Sequence, residues 1–86
     1  MSAVEELRAG ISLASEQGRD AVASLDKAIS KLETTWKSLA VVTRGAAQDD
    51  VMAVPDGLRK SISSLTNARS MIVSSISASE CWADRL

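Results

Sequence analysis

Eighty-six residues suffice for one domain, spanning 1–86, with a core so small that a lone compact monomer would be marginal. An apolar content of 45% rules out disorder by composition, and ten basic against eleven acidic residues offer no basic surface for nucleic acid. With no His and a single cysteine, Cys81, the chain lacks Ser-His-Asp and Cys-His sets, His metal ligands, cysteine-cluster zinc sites and an internal disulfide.

The first predicted element opens with a capping box. Ser2 can accept from the backbone three residues on, where Glu5 stands, and Glu5 and Glu6 complement the positive end of the helix dipole. Apolar or small residues then recur in alternating three- and four-residue steps: Val4, Leu7, Ile11, Ala14, Gly18, Ala21, Leu25, Ala28, Leu32, Thr35, Leu39, Val42. This is a heptad seam, which Val22, Ile29 and Trp36 widen on one side. It predicts a helix over residues 3–43, roughly 60 Å long at about 1.5 Å per residue. Gly10, Ala14 and Gly18, four residues apart, are expected to let a neighbouring backbone approach closely.

Thr43-Arg44-Gly45 is the expected stop, with Gly45 suited to a left-handed cap. Residues 46–50 are read as a turn, in which Asp49 or Asp50 caps the next helix. Pro55 lacks a backbone N–H and is placed most easily at the first position of a helix. A short helical turn near 49–54 and a main helix over 55–84 are therefore expected. Its seam runs through Leu58, Ile62, Leu65, Ile72, Ile76 and Ala83.

A short connection makes the two helices antiparallel. The reading is an all-α helical hairpin. Its expected core is Leu7, Ile11, Leu25, Ile29, Leu32, Trp36 and Leu39 against Leu58, Ile62, Leu65, Ile72 and Ile76. One hairpin needs one stripe per helix. A second flank, carrying Met71, Ser75, Ala78, Trp82 and Leu86, has nothing to cover it in a monomer and reads as an interface. Two hairpins joined along such flanks give a four-helix bundle or coiled-coil dimer.

The chain has no phosphate-cradling glycine motif, and a helix cap accounts for the Asp49-Asp50 carboxylates. Cys81, about opposite the seam, has no base to activate it. No catalytic activity, cofactor or metal is expected, and no run approaches the roughly 20 apolar residues of a membrane span. The acidic N-terminus lacks a leader's apolar segment. A cytoplasmic protein, or one exported without a cleaved signal peptide, is expected.

A hairpin of this size with Trp36-Lys37-Ser38 before its turn resembles the WXG-type helical hairpins of type VII secretion. Ser38 stands where that family has glycine, and no Tyr-containing export signal comes after the second helix. The resemblance implies pairing with a second helical protein and service as partner or chaperone of a larger secreted effector. The Ala/Ser-rich style and the ending from Ser79 to Leu86 also look like small helical proteins of actinobacteria. The function expected is thus an interaction module that pairs with itself or a second helical protein. The alternative is a small immunity or antitoxin-type binder that occludes a partner.

Overall fold

The computed structural model describes the backbone of residues 2–44 and 49–86, and side-chain surroundings for 2–44 and 54–86. Helix α1 spans Ala3–Thr43 and helix α2 spans Asp49–Asp84. The two pack against each other as an antiparallel all-α hairpin, with no strand among the described residues. The molecule is a rod of 67 × 15 × 13 Å, as a helix of about 41 residues at about 1.5 Å per residue requires.

Local chemistry sets the ends. Ser2, with extended backbone at φ −72° and ψ 159°, accepts on its side-chain oxygen the Glu5 N–H at 3.1 Å. Its carbonyl accepts from the Glu6 N–H at 3.0 Å. One otherwise orphaned donor of the first turn is thereby satisfied by the side chain. At the far end of α1, Arg44 leaves the helix in extended conformation while its N–H still donates to Val41. Gly45 and residues 46–48 of the expected turn lie outside the described residues.

The start of α2 differs from expectation. The backbone is one continuous helix from Asp49, so Asp49 and Asp50 are helical, and the short turn plus separate helix at 55 do not occur. Pro55 lies inside the helix, in its second turn, where its ring removes one hydrogen bond to the carbonyl four residues back. Its side chain is buried. Pro55, Ile62, Arg69, Ile76 and Ala83 stand seven residues apart, so the proline sits in the seam and its ring packs as an apolar surface.

The seam of α1 is rotated from the expected one. Its inner residues are Ile11, Ser15, Gly18, Val22, Leu25, Ile29, Leu32, Trp36, Leu39 and Thr43, all buried or half-buried. Positions 11, 18, 25, 32 and 39 are as expected. Their partners in the seam, however, are 15, 22, 29, 36 and 43, each one residue after the expected 14, 21, 28, 35 and 42, which are exposed. Two adjacent ladders compete for the same contact, and the one carrying Val22, Ile29 and Trp36 removes more apolar area from water than Ala21, Ala28 and Thr35. Thr43 is buried with its hydroxyl bonded to the Leu39 carbonyl at 2.7 Å. Leu7, expected in the core, is 43% exposed.

The close approach is at Gly18 alone. A Cβ there would lie 2.6 Å from Cδ1 and 3.1 Å from Cγ1 of Ile76. At Gly10 it would meet nothing within 4 Å, and Ala14 is exposed, so neither of these brings backbones together. A hydrophobic core barely exists. Among the described residues only Val22, Ile29, Pro55 and Ala83 are buried apolar side chains, and none of the large ones is fully enclosed.

Candidate functional surface

Two packed helices leave two grooves, one on each side of the seam, and the sequence gives them opposite character. One side is bridged by charge, with an open pocket lined by Val22, Ala23, Val73 and Ile76 between Arg19 and Asp26. Arg19 pairs with Glu80, and Arg69 pairs with Asp26, its second nitrogen 3.2 Å from the other carboxylate oxygen. The hydrogen bond from Arg69 holds the Asp26 carboxyl below its ordinary range. Arg8 Nε donates to the Ala83 carbonyl at 3.4 Å, placing a cation at the negative end of α2. Near the other end the Arg59 guanidinium lies 4.7 Å from the centre of the Trp36 ring, a cation–π contact.

The opposite side carries no ion pair among the described residues. On α1 it presents Leu7, Ala14, Ala21, Ala28, Thr35 and Val42, spaced by seven and all exposed. On α2 it presents Val54, Ser61, Ala68, Ser75 and Trp82, likewise spaced by seven, with Val54, Ser61, Ser75 and Trp82 at least partly open to water. Leu7, Ala78 and Trp82 share one depression on this side, with Ile11 on its floor, and Ala14 and Ser75 share the next. Not one of these residues is charged. Water therefore meets an uncharged, largely apolar band running along most of the rod.

The interface residues read from the sequence fall on or beside this band. Ser75 and Trp82 lie in its α2 ladder; Met71 and Ala78 flank that ladder on the outer side. Met71 is 71% exposed and Trp82 48%, and Leu86 ends the chain half-covered. The α1 half of the band departs from the sequence expectation, which places Ala14, Ala21, Ala28, Thr35 and Val42 in the inner seam. Cys81 is exposed on the far side of α2, where Arg85 approaches its sulfur at 3.5 Å.

Sequence reasoning also missed the cross-helix pairs. The signal was available. In an antiparallel hairpin, facing residues are roughly symmetric about the turn, and Arg19 with Glu80 and Asp26 with Arg69 are both opposite charges at such positions. Arg69 escaped notice because it breaks the apolar spacing between Leu65 and Ile72, although it occupies a seam position and is half-buried.

Trp36 is half-buried in the seam as expected, and its Nε1 is the one buried side-chain polar atom without a hydrogen-bond partner among the described residues. Those residues contain no cluster of three or more His, Cys, Asp or Glu placed to hold a metal ion. Among them, no helix is long and apolar enough to cross a membrane. What the surface offers chemically is apolar area and close access to backbone, which suits another helix. Comparison with protein-family models, with curated proteins and with solved structures finds no match to this chain.

Proposed function

We propose that this chain is a non-catalytic interaction module, a helical hairpin that completes its core against another helical protein. One observation carries the reading. The chain exposes 6281 Å², whereas a compact monomer of this mass exposes about 4,900 Å². A hairpin with so little of its apolar surface enclosed leaves little to offset the entropy of ordering about 1–2 kcal/mol per residue. Packing the uncharged band against further helices supplies the missing burial, and four-helix bundles are the common solution. The resemblance to WXG-type hairpins makes a partner or chaperone role for a larger secreted effector the first biological setting to examine.

The test is the concentration dependence of folding, followed by circular dichroism on dilution. A chain that folds only by pairing loses helix as its partner is diluted away, because association stabilises by mass action. A monomer that stays helical and melts cooperatively near about 60 °C at every concentration overturns the proposal.

A further inference from the structure

We infer that the uncharged band is the docking face for a second copy of this chain, turned end over end. The inference rests on the pairing reading and names its partner. Three observations bear on it. The first is area. The exposure of 6281 Å² exceeds the compact expectation by about 1,400 Å² per chain. Burying that excess on two copies gives about 2,800 Å², within the range of obligate homodimers.

The second observation is charge. Both ladders are neutral along their whole length, so two like faces meet without repulsion and no oppositely charged partner is needed. On the salt-bridged side, by contrast, the charges are already paired within the hairpin.

The third is shape. The α1 ladder is branched at both ends and small in the middle: Leu7 and Val42 outside, Ala14, Ala21, Ala28 and Thr35 between. It presents nearly the same profile read in either direction. Turned end over end, Leu7 of one copy meets Val42 of the second, Ala14 meets Thr35, and Ala21 meets Ala28. The centre of that register falls between Ser24 and Leu25, level with Arg69, which binds Asp26 across the hairpin. About that level, Trp82 of one copy falls over Gly57 of the other, where a Cβ would find open space. The half-exposed indole thus meets a position that carries no side chain. A two-fold axis parallel to the helices would instead crowd Leu7 and Trp82 of both copies at one end. Spreading the large residues and setting Trp82 over Gly57 select the end-over-end arrangement, in which every neighbouring pair of helices is antiparallel.

Light scattering behind a sizing column, with Ala21→Glu and Ala23→Glu compared, tests the face. Both alanines are exposed on α1, but Ala23 lies on the salt-bridged side. Expected are a mass twice the 9.1 kDa of one chain, a dissociation constant raised more than about 100-fold in Ala21→Glu, whose new carboxylate is buried without a partner, and no change for Ala23→Glu. A dimer that survives Ala21→Glu, or that only Ala23→Glu breaks, overturns the face and leaves the pairing reading standing. Wild-type chain that is monomeric at tens of micromolar overturns the second copy. In that event poor helicity keeps the general pairing reading, and a cooperative melt removes it as well. Ala21→Glu can lose structure along with its partner, so a covalent test stands beside it. In a Cys81→Ser background, Ala21→Cys combined with Ala28→Cys should oxidise to a covalent dimer, whereas Ala23→Cys with Ser30→Cys should not. Equal cross-linking of the two pairs, or none in either, overturns the end-over-end register.

Discussion

Replacing Gly18 and Gly10 by alanine, one at a time, separates a glycine required by packing from one that only weakens its helix. The two sit about two turns apart in α1, and intrinsic propensity favours alanine at both by about 1 kcal/mol. At Gly10 nothing lies within 4 Å of the added methyl, so the full gain should appear as a rise of about 4–8 °C in melting temperature for a domain of this size. At Gly18 the methyl would stand 2.6 Å from Cδ1 and 3.1 Å from Cγ1 of Ile76, against ordinary carbon contacts of about 3.5–4.0 Å. Cδ1 can swing aside. Cγ1 cannot do so freely, because isoleucine in a helix has one strongly preferred χ1. Relieving the overlap means an off-rotamer Ile76 or helices pushed apart, at about 1–3 kcal/mol. The net expectation for Gly18→Ala runs from no change to a loss of about 2 kcal/mol, which leaves it about 1–3 kcal/mol below Gly10→Ala. Urea and thermal unfolding followed by circular dichroism, at one fixed protein concentration, measure the difference. Adding Ile76→Val to Gly18→Ala removes the clashing Cδ1 and should recover part of the loss, although Ile→Val alone costs about 0.5–1.5 kcal/mol. Equal stabilisation by the two alanines, or no recovery with Ile76→Val, would refute the close approach at Gly18.

Three further outcomes are expected. Ser2→Ala removes the acceptor for the Glu5 N–H and should cost about 1 kcal/mol, read as fraying at the start of α1 by amide exchange; unchanged protection of Glu5 and Glu6 would contradict the cap. Pro55→Ala restores a backbone donor inside α2 and should stabilise the hairpin by roughly 1–3 kcal/mol, the interior penalty of about 3 kcal/mol less the lost burial of the ring; a lower melting temperature would contradict it. Asp26 is held below its ordinary value by the hydrogen bond from Arg69, so its contribution is present above the unfolded carboxylate value of about 3.9 and fades as the pH falls through the lower folded value. Asp26→Asn should therefore flatten the acid limb of the stability profile, and an NMR titration should place the Asp26 midpoint below the ordinary carboxylate value; a midpoint at that value would count against the pair.

The sequence by itself determined the helices and their partnership. Ser2 and Glu5 mark a start that local hydrogen bonding fixes, and the long three- and four-residue periodicity permits only a helix with an apolar stripe. The seam of α2 was legible because Leu58, Ile62, Leu65, Ile72 and Ile76 are large, branched and alone on their side. The Met71–Trp82 flank was legible for the same reason: it lies off that stripe.

Tertiary structure decided what local pattern leaves degenerate. In α1 two neighbouring ladders are both uncharged, and which of them faces inward depends on the area that each buries against α2. Val22, Ile29 and Trp36 win over Ala21, Ala28 and Thr35 by bulk. That rotation moves Gly10 to open space and leaves Gly18 against Ile76, a distinction invisible in the spacing of the glycines. Local penalty alone would put Pro55 at a helix start, yet burial of its ring in line with Ile62 and Ile76 keeps it inside the helix. Arg69 interrupts the apolar spacing of α2, yet Asp26 across the hairpin makes it a paired seam residue. Helix identity is written in near neighbours, whereas the face a helix turns inward is set by competition for burial with residues some twenty to seventy-five positions away along the chain.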